Sequence, residues 1–523
     1  MAMTHTATPA LDEHDTTVAA PSTPTAAERV LGATDHLTVG RVVVGTSLFL
    51  ALASAAVLAL AHLDTAVLDN GIAGTGILDE SVVLRLAQNA PIGLMLCGVM
   101  PLLLGLATVV VPRQVGSPAI SFPRLSAFAN WTWLLSAVLF VVSVAADGSY
   151  GGANEDMARL GNLAVAGLLV SLAAGAVCVA VTVLTLRPLG MGLRDVPFFS
   201  FSMVVTAGLW VLTLPAVLAR IILVHIARPT PTDLAVNGVE AVSWLFRQPS
   251  VYIVALPVLG IVLDSVAVAA GGRQRFRGAV QVMIGAAGLL SFGAWAQTDT
   301  ARSTLIWVLV SAAAALPLLG LLGAVGDTVR QNRAKLISPL GYAIAALLLL
   351  LLAALTGLLM AIDQIGHGQL VGFGTAELSQ AQLYFVLGAA LAGGLGGAHL
   401  WAGLTFGDQL PEAPAKGMTL AVLGGGALLG LGQLVLGLLI ANDAGTDPRA
   451  FAVISAVGAA LLALAALGTL AGGLKARRGA SRGDTLLADP WGRGATLEWA
   501  EASAVPATVE SPYPLLAANE EAS

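Results

Sequence analysis

Apolar residues run together along this chain in long uninterrupted stretches, such as Val42 to Leu60, Leu163 to Leu184 and Gly341 to Met360. A run of about 18 or more apolar residues predicts a transmembrane helix. Twelve are predicted, at 42–62, 88–111, 130–146, 162–186, 198–226, 249–271, 278–296, 304–325, 338–361, 382–405, 418–440 and 451–474. Helices satisfy their own backbone hydrogen bonds, so the expected fold is an all-α integral membrane protein, a bundle of twelve spans. An even number of crossings returns both ends to one side. No fixed-period repeat runs through the chain.

Composition agrees with that class. Of 523 residues, 57% are apolar and 11% are charged; a soluble domain carries about 25% charged residues. The charges also orient the bundle. Eighteen of the 25 lysines and arginines, among them Arg113, Arg124, Arg187, Arg277, Arg330 and Lys475, fall in the N-terminal segment, the loops from even to odd spans, and the C-terminal tail. The opposite loops lean acidic, with Asp64, Asp69, Asp79, Asp147 and Glu155. The positive-inside rule then puts both ends in the cytoplasm. Three regions follow. Residues 1–35, rich in Thr, Ala and Pro, are expected to be disordered, with no cleaved signal. Residues 36–474 form the membrane domain, and 475–523 a loose polar tail. The net charge of −6 resides largely in the ends and outer loops, so no nucleic-acid partner is expected. Cys97 and Cys178 both lie within spans and suggest no disulfide or cysteine metal site.

Motifs are spread over the whole length. Thr34-Asp35-His36 precedes the first span. Val111-Pro112-Arg113-Gln114-Val115-Gly116-Ser117-Pro118 and Phe122-Pro123-Arg124-Leu125 follow the second. Arg187-Pro188-Leu189-Gly190-Met191 joins spans four and five, and Trp244-Leu245-Phe246-Arg247-Gln248-Pro249-Ser250-Val251-Tyr252 leads into span six. Leu355-Thr356-Gly357 lies in span nine. Asp489-Pro490-Trp491-Gly492 and Thr496-Leu497-Glu498-Trp499-Ala500 sit in the tail. In order and position these strings resemble subunit I of the haem–copper oxidases, in the cytochrome c oxidase branch, over about residues 34 to 500.

That resemblance implies the haem–copper oxidase subunit I fold, two haems and one copper, and a bacterial cytoplasmic membrane. It also locates where the ligands would be. Counting eleven residues back from Pro101 gives Ala90 at the low-spin haem position of span two. Gln248 replaces a copper-binding histidine, and Ser250 replaces a proton-gating glutamate. Tyr252 remains, without its cross-linking partner. Gln297 and Thr298 follow Trp295-Ala296 at two further copper positions. Gln382 and Tyr384 occupy the haem-ligand pair of span ten, and Leu321 the proton-channel lysine of span eight. Iron and copper need imidazole or another strong donor, so these are vestigial cofactor positions and no haem or copper is expected. The six polar residues among them, Gln248, Tyr252, Gln297, Thr298, Gln382 and Tyr384, are expected to converge and satisfy one another by hydrogen bonds.

Other residues change this picture little. His225 and His399 are the intramembrane imidazoles, read as polar groups near helix ends; His62 and His367 fall at outer ends of spans. Arg220 is expected to reach the interface or an acid such as Asp264. The glycine strings at 393–397 and 424–426 are read as close helix contacts. Three functions remain open: a catalytically degenerate relative serving as a structural or assembly component among the membrane subunits of a respiratory complex; an active terminal oxidase with diverged ligands; and a repurposed transporter or small-ligand binder.

Overall fold

The computed structural model describes residues 35–68, 78–227, 237–243, 252–295, 304–365, 375–440, 447–480, 489–500, 509 and 511–515. Twelve long helical elements follow one another: α1 His36–Leu68, α2, α3 Pro123–Ala145, α4 Glu155–Thr185, α5 Phe198–Ile226, α6 Tyr252–Ala270, α7 Arg277–Trp295, α8, α9 Ser338–Ile365, α10 Thr375–Leu400, α11 Glu412–Ile440 and α12 Arg449–Ala480. Helix α2 is composite: Glu80–Ile92, a π-helical stretch Gly93–Val99, then Met100–Gln114. Helix α8 is two pieces, Thr304–Ala313 and Ala315–Gln331.

Eleven of these are long and apolar enough to cross a membrane among the described residues. The remaining one, α7, begins at Arg277 and carries Gln281, whose side chains donate to Arg194 O. Its first turns therefore belong to the polar end of the bundle. The helix itself forms where the seventh span is predicted.

Local chemistry starts several helices. Asp35 Oδ2 accepts from Thr38 N at 3.0 Å, and Asn154 Oδ1 accepts from Met157 N at 3.2 Å at the head of α4; each satisfies an orphan N–H. Pro123 opens α3, where its missing N–H costs nothing.

Burial sorts the helices. Over its most apolar 18 residues helix α10 is wholly buried and α2 and α6 are 94% buried, whereas α5 and α8 are buried over only 33%. The centre is thus α2, α6 and α10, and the outer helices turn leucines such as Leu212, Leu223 and Leu305 outward. With tails as apolar as leucine on one side, inward packing relies on shape. Gly425 and Gly458 bring α11 and α12 into backbone contact, and Gly388 meets Gly426 between α10 and α11. Gly424 makes no such close approach.

Two expectations need correction. Arg220 meets Glu240 of the short helix Val239–Ser243, with Nη2 to Oε1 at 3.4 Å, and not Asp264, which lies at the other end of α5. The tail is also not loose throughout. Helix α12 continues to Ala480, and Leu497, Glu498, Ala500, Val509 and Tyr513 are buried against the bundle. Trp491 Nε1 donates to Leu400 O at 3.1 Å and Arg493 Nη1 to Ala269 O at 3.0 Å. Residues 1–34, expected to be disordered, lie outside the described residues.

Candidate functional site

Helices α6 and α10 both start at the acidic end of the bundle. That places Tyr252 on the first turn of α6 beside Gln382 on the second turn of α10. Gln382 Nε2 donates to Tyr252 Oη at 3.2 Å and to Ala353 O of α9 at 3.3 Å. Gln382 Oε1 has no partner among the described residues. Beside Tyr252 is a cavity of about 10 Å³, lined by Leu259, Ala287, Ser291 and Leu318; that is space for one water at most.

Tyr384 is two residues further on, about 200° around the helix, and so faces away from Gln382. Its hydroxyl accepts from Gln380 Nε2 at 2.6 Å and lies 3.1 Å from His62 Nε2 of α1. The His62 and Tyr384 rings meet edge to face, with centroids 5.7 Å apart. With Gln380 supplying a hydrogen to its oxygen, Tyr384 has its own hydrogen free for His62. Tyr384→Phe strands both polar neighbours. We expect a loss of about 1 kcal/mol of stability, read as a lowered thermal unfolding midpoint that His62→Phe in the same background does not lower further.

Ala90 faces a different neighbourhood again. It lines a groove of about 280 Å³ between α1, α2 and α3, with Leu50, Val57, Phe140 and, at one end, Arg85 and Asn89. Leu321 of α8 is buried among apolar side chains. Gln248, Ser250, Gln297 and Thr298 lie outside the described residues. Of the six residues expected to converge, the described ones give one joined pair, Tyr252 with Gln382, while Tyr384 belongs to a separate pair.

The described residues at the matched positions bear on a haem or a copper only in part. Ala90, at the low-spin haem position, offers no donor. His62 Nε2 is engaged with the Tyr384 hydroxyl at 3.1 Å. Helix directions put His225 at the acidic end of α5 and His399 at the basic end of α10, where it stacks on Tyr342 with centroids 5.1 Å apart. They cannot share one haem plane. The chain's own side chains also press on the glycines of α10. A Cβ at Gly394 would come 2.6 Å from Leu102 of α2, and one at Gly397 would come 3.0 Å from Leu106. Among the described residues, no three His, Cys, Asp or Glu side chains gather as a metal site.

A second polar cluster sits at the basic end, and sequence reasoning missed it. Gln114 at the end of α2 is fully buried. Its Nε2 donates to Asp264 Oδ2 of α6 and to Glu498 Oε1 of the tail, each at 3.0 Å. Its Oε1 accepts from Ser200 N at 3.1 Å and Ser200 Oγ at 2.6 Å. Asp264 also accepts from Phe198 N at 3.2 Å and Phe199 N at 3.0 Å, the first amides of α5. Glu498 Oε2 has no partner among the described residues. Burial, with the Asp264 carboxylate beside it, pushes Glu498 up to about 7. A signal was available: Gln114 and Glu498 each sit inside a motif string of the second loop and the tail. Nothing in the strings alone says that they touch.

The architecture and the motifs agree with known proteins. Residues 39–470 match the family described as "Cytochrome C and Quinol oxidase polypeptide I". The chain is 26% identical to a "Probable cytochrome c oxidase subunit 1-beta" of Nocardia farcinica, across 76% of this chain and 72% of that protein. It is 26% identical to "Cytochrome c oxidase subunit 1" of Bacillus subtilis, across 79% and 69%, and to "Quinol oxidase subunit 1" of the same organism, across 78% and 67%. Its fold superposes on a haem–copper terminal oxidase solved as a dimer by cryo-EM, with a TM-score of 0.60 at 13% identity over 84% of both chains. By the family match over most of its length, the chain is an integral membrane protein of the cytochrome c and quinol oxidase polypeptide I family.

Proposed function

We propose that this chain is a catalytically degenerate member of its family, working without haem or copper as a structural or assembly component of a respiratory complex in the bacterial cytoplasmic membrane. One observation carries the reading: every position at which the resemblance requires a histidine ligand holds another residue, namely Ala90, Gln248, Gln297, Thr298, Gln382 and Tyr384. Oxygen reduction needs iron and copper held by strong donors, and the protein's share of that chemistry is their ligation and surroundings. Proton delivery is affected as well. Ser250 and Leu321 stand where the family's titrating carboxyl and amine would be, and neither side chain takes up or gives a proton near neutral pH. A wide, apolar outer surface on a rigid bundle suits docking against other membrane subunits. The arginine distribution supports cytoplasmic ends.

The deciding experiment is an optical spectrum and a copper determination on the purified chain, followed by identification of what co-purifies with it. The expected result is no Soret band, no stoichiometric copper, no cyanide-sensitive oxygen consumption, and companion membrane subunits. A haem band at one per chain that survives purification would instead support an active oxidase with diverged ligands.

A further inference from the structure

The cluster at the basic end is asymmetric, and the asymmetry has a chemical meaning. Two carboxyl groups, Asp264 and Glu498, are bridged by a single amide, Gln114 Nε2, at 3.0 Å each. Both are buried, at 7% and 3% exposure. Two carboxylates so close do not both ionise. Donor count decides which keeps the proton. Asp264 accepts from three N–H groups, two of them at the N-terminus of α5, whose dipole also favours an anion. Arg277 adds a favourable charge toward Asp264. Glu498 has the amide and Thr496, and its Oε2 is unpartnered among the described residues. Glu498 and Asp264 both line a cavity of about 20 Å³ together with Arg277, Arg493 and Tyr513.

We propose that Asp264 and Glu498 form a single-proton binding site, with the proton on Glu498 Oε2, and that this proton holds the C-terminal segment docked against the end of the bundle. The segment is anchored around that carboxyl. Val509 N donates to Leu189 O at 2.8 Å, Gln274 N donates to Tyr513 Oη at 3.0 Å, and Leu515 N donates to Ala495 O at 3.3 Å. The groups facing Glu498 are Asp264 from α6, Gln114 from α2, Arg277 from α7, and Arg493, Thr496 and Tyr513 from the tail itself. The two arginines are engaged elsewhere: Arg277 with Arg194 O and the Phe198 and Tyr513 rings, Arg493 with Ala269 O. Removing the proton would therefore leave a buried carboxylate beside Asp264 with one amide to share between them.

The direction of the pH dependence follows. The docked carboxyl titrates near 7, above its ordinary 4.5. Docking is at full strength below about 4.5. It weakens as pH rises to about 7, where the docked form also ionises and the loss levels off. Two and a half decades separate the two values, so the docking constant falls about 300-fold.

Hydrogen exchange at the Val509 and Leu515 amides of the full chain in lipid nanodiscs tests this, because exchange reports even rare release of the segment. After correction for intrinsic exchange, protection should fall by about two orders of magnitude between pH 5 and pH 8, and level off above. Glu498→Gln keeps the acceptor for Gln114 and cannot ionise, so its protection should stay high and flat. Protection independent of pH in the wild type, or an equal fall in Glu498→Gln, overturns the proposal. Infrared difference spectra of the wild type give a second reading that needs no folded variant. A protonated-carboxyl stretch should vanish with a midpoint near pH 7, and its absence at low pH overturns the assignment.

Discussion

Replacing Gln114 with leucine should destabilise the protein more than any single change on its lipid-facing surface, on the order of 3–5 kcal/mol. Gln114 is bonded at once to α5, α6 and the tail. Leucine has nearly its volume, so packing is preserved and the effect isolates the polar bonds. Asp264 and Glu498 each lose a donor, and the Ser200 N–H and hydroxyl lose their acceptor. Each buried group left unpaired costs about 1–3 kcal/mol. Hydrogen bonds within membrane proteins average only about 0.6 kcal/mol, and the larger figure here rests on several buried groups losing a partner at once, with the Asp264 carboxylate reduced to its two backbone donors. Thermal unfolding followed by tryptophan fluorescence would check it. Glu498→Gln, which spares the Gln114 bond, should shift the midpoint far less, and equal shifts for the two variants would contradict the account.

Gly458→Ala is expected to part α11 from α12. A Cβ there would overlap Leu429 N and lie 2.7 Å from Gly425 O and 2.8 Å from Leu429 Cα. All three are backbone atoms, which no rotamer change can move. Relief requires the two helices to separate along their contact, at a cost of about 1–3 kcal/mol for overpacking and more if the contact is lost along its length. The reciprocal change, Gly425→Ala, meets Gly458 O at 2.8 Å and Leu462 N at 2.9 Å and should behave alike. Gly417→Ala supplies the contrast on α11 itself. Nothing lies within 4 Å of its added carbon, so the helix gains about 0.5–1 kcal/mol from the lost glycine freedom. Opposite signs for Gly458→Ala and Gly417→Ala in the same thermal assay are the expected result.

The helices were legible because lipid imposes a simple code. Each span must be long and apolar, and the runs met that demand at every place where a long helix forms. The composite nature of α2 was not legible, since Gly93-Leu94-Met95-Leu96-Cys97-Gly98-Val99 reads like any apolar stretch. Pairings between distant helices were harder still. His62 was placed correctly near a span end, yet its contact with Tyr384 depends on how far α1 and α10 reach past each other. Arg220 was given the wrong acid because Glu240 sits on a five-residue helix with no apolar signature. The tail failed for a different reason. Its buried residues, Leu497, Val509 and Tyr513, are single apolar positions in polar surroundings. Their burial comes from a concave surface that other elements create.

The π-helical stretch of α2 has a consequence for anyone wishing to rebuild a haem site in this scaffold. One residue inserted into a helical turn rotates everything before it by about 100° against everything after it. Gly93–Val99 lies between Ala90 and Pro101, so position 90 is turned relative to the residues beyond the stretch. Ala90 looks into the groove with Leu50 and Phe140, whereas Leu102 and Leu106, beyond the stretch, look toward α10. An imidazole grafted at 90 would emerge among α1 and α3, away from Gln382 and Tyr384. Re-ligation of this scaffold is therefore a backbone problem before it is a side-chain problem, because the winding of α2 decides which way a donor at its head looks.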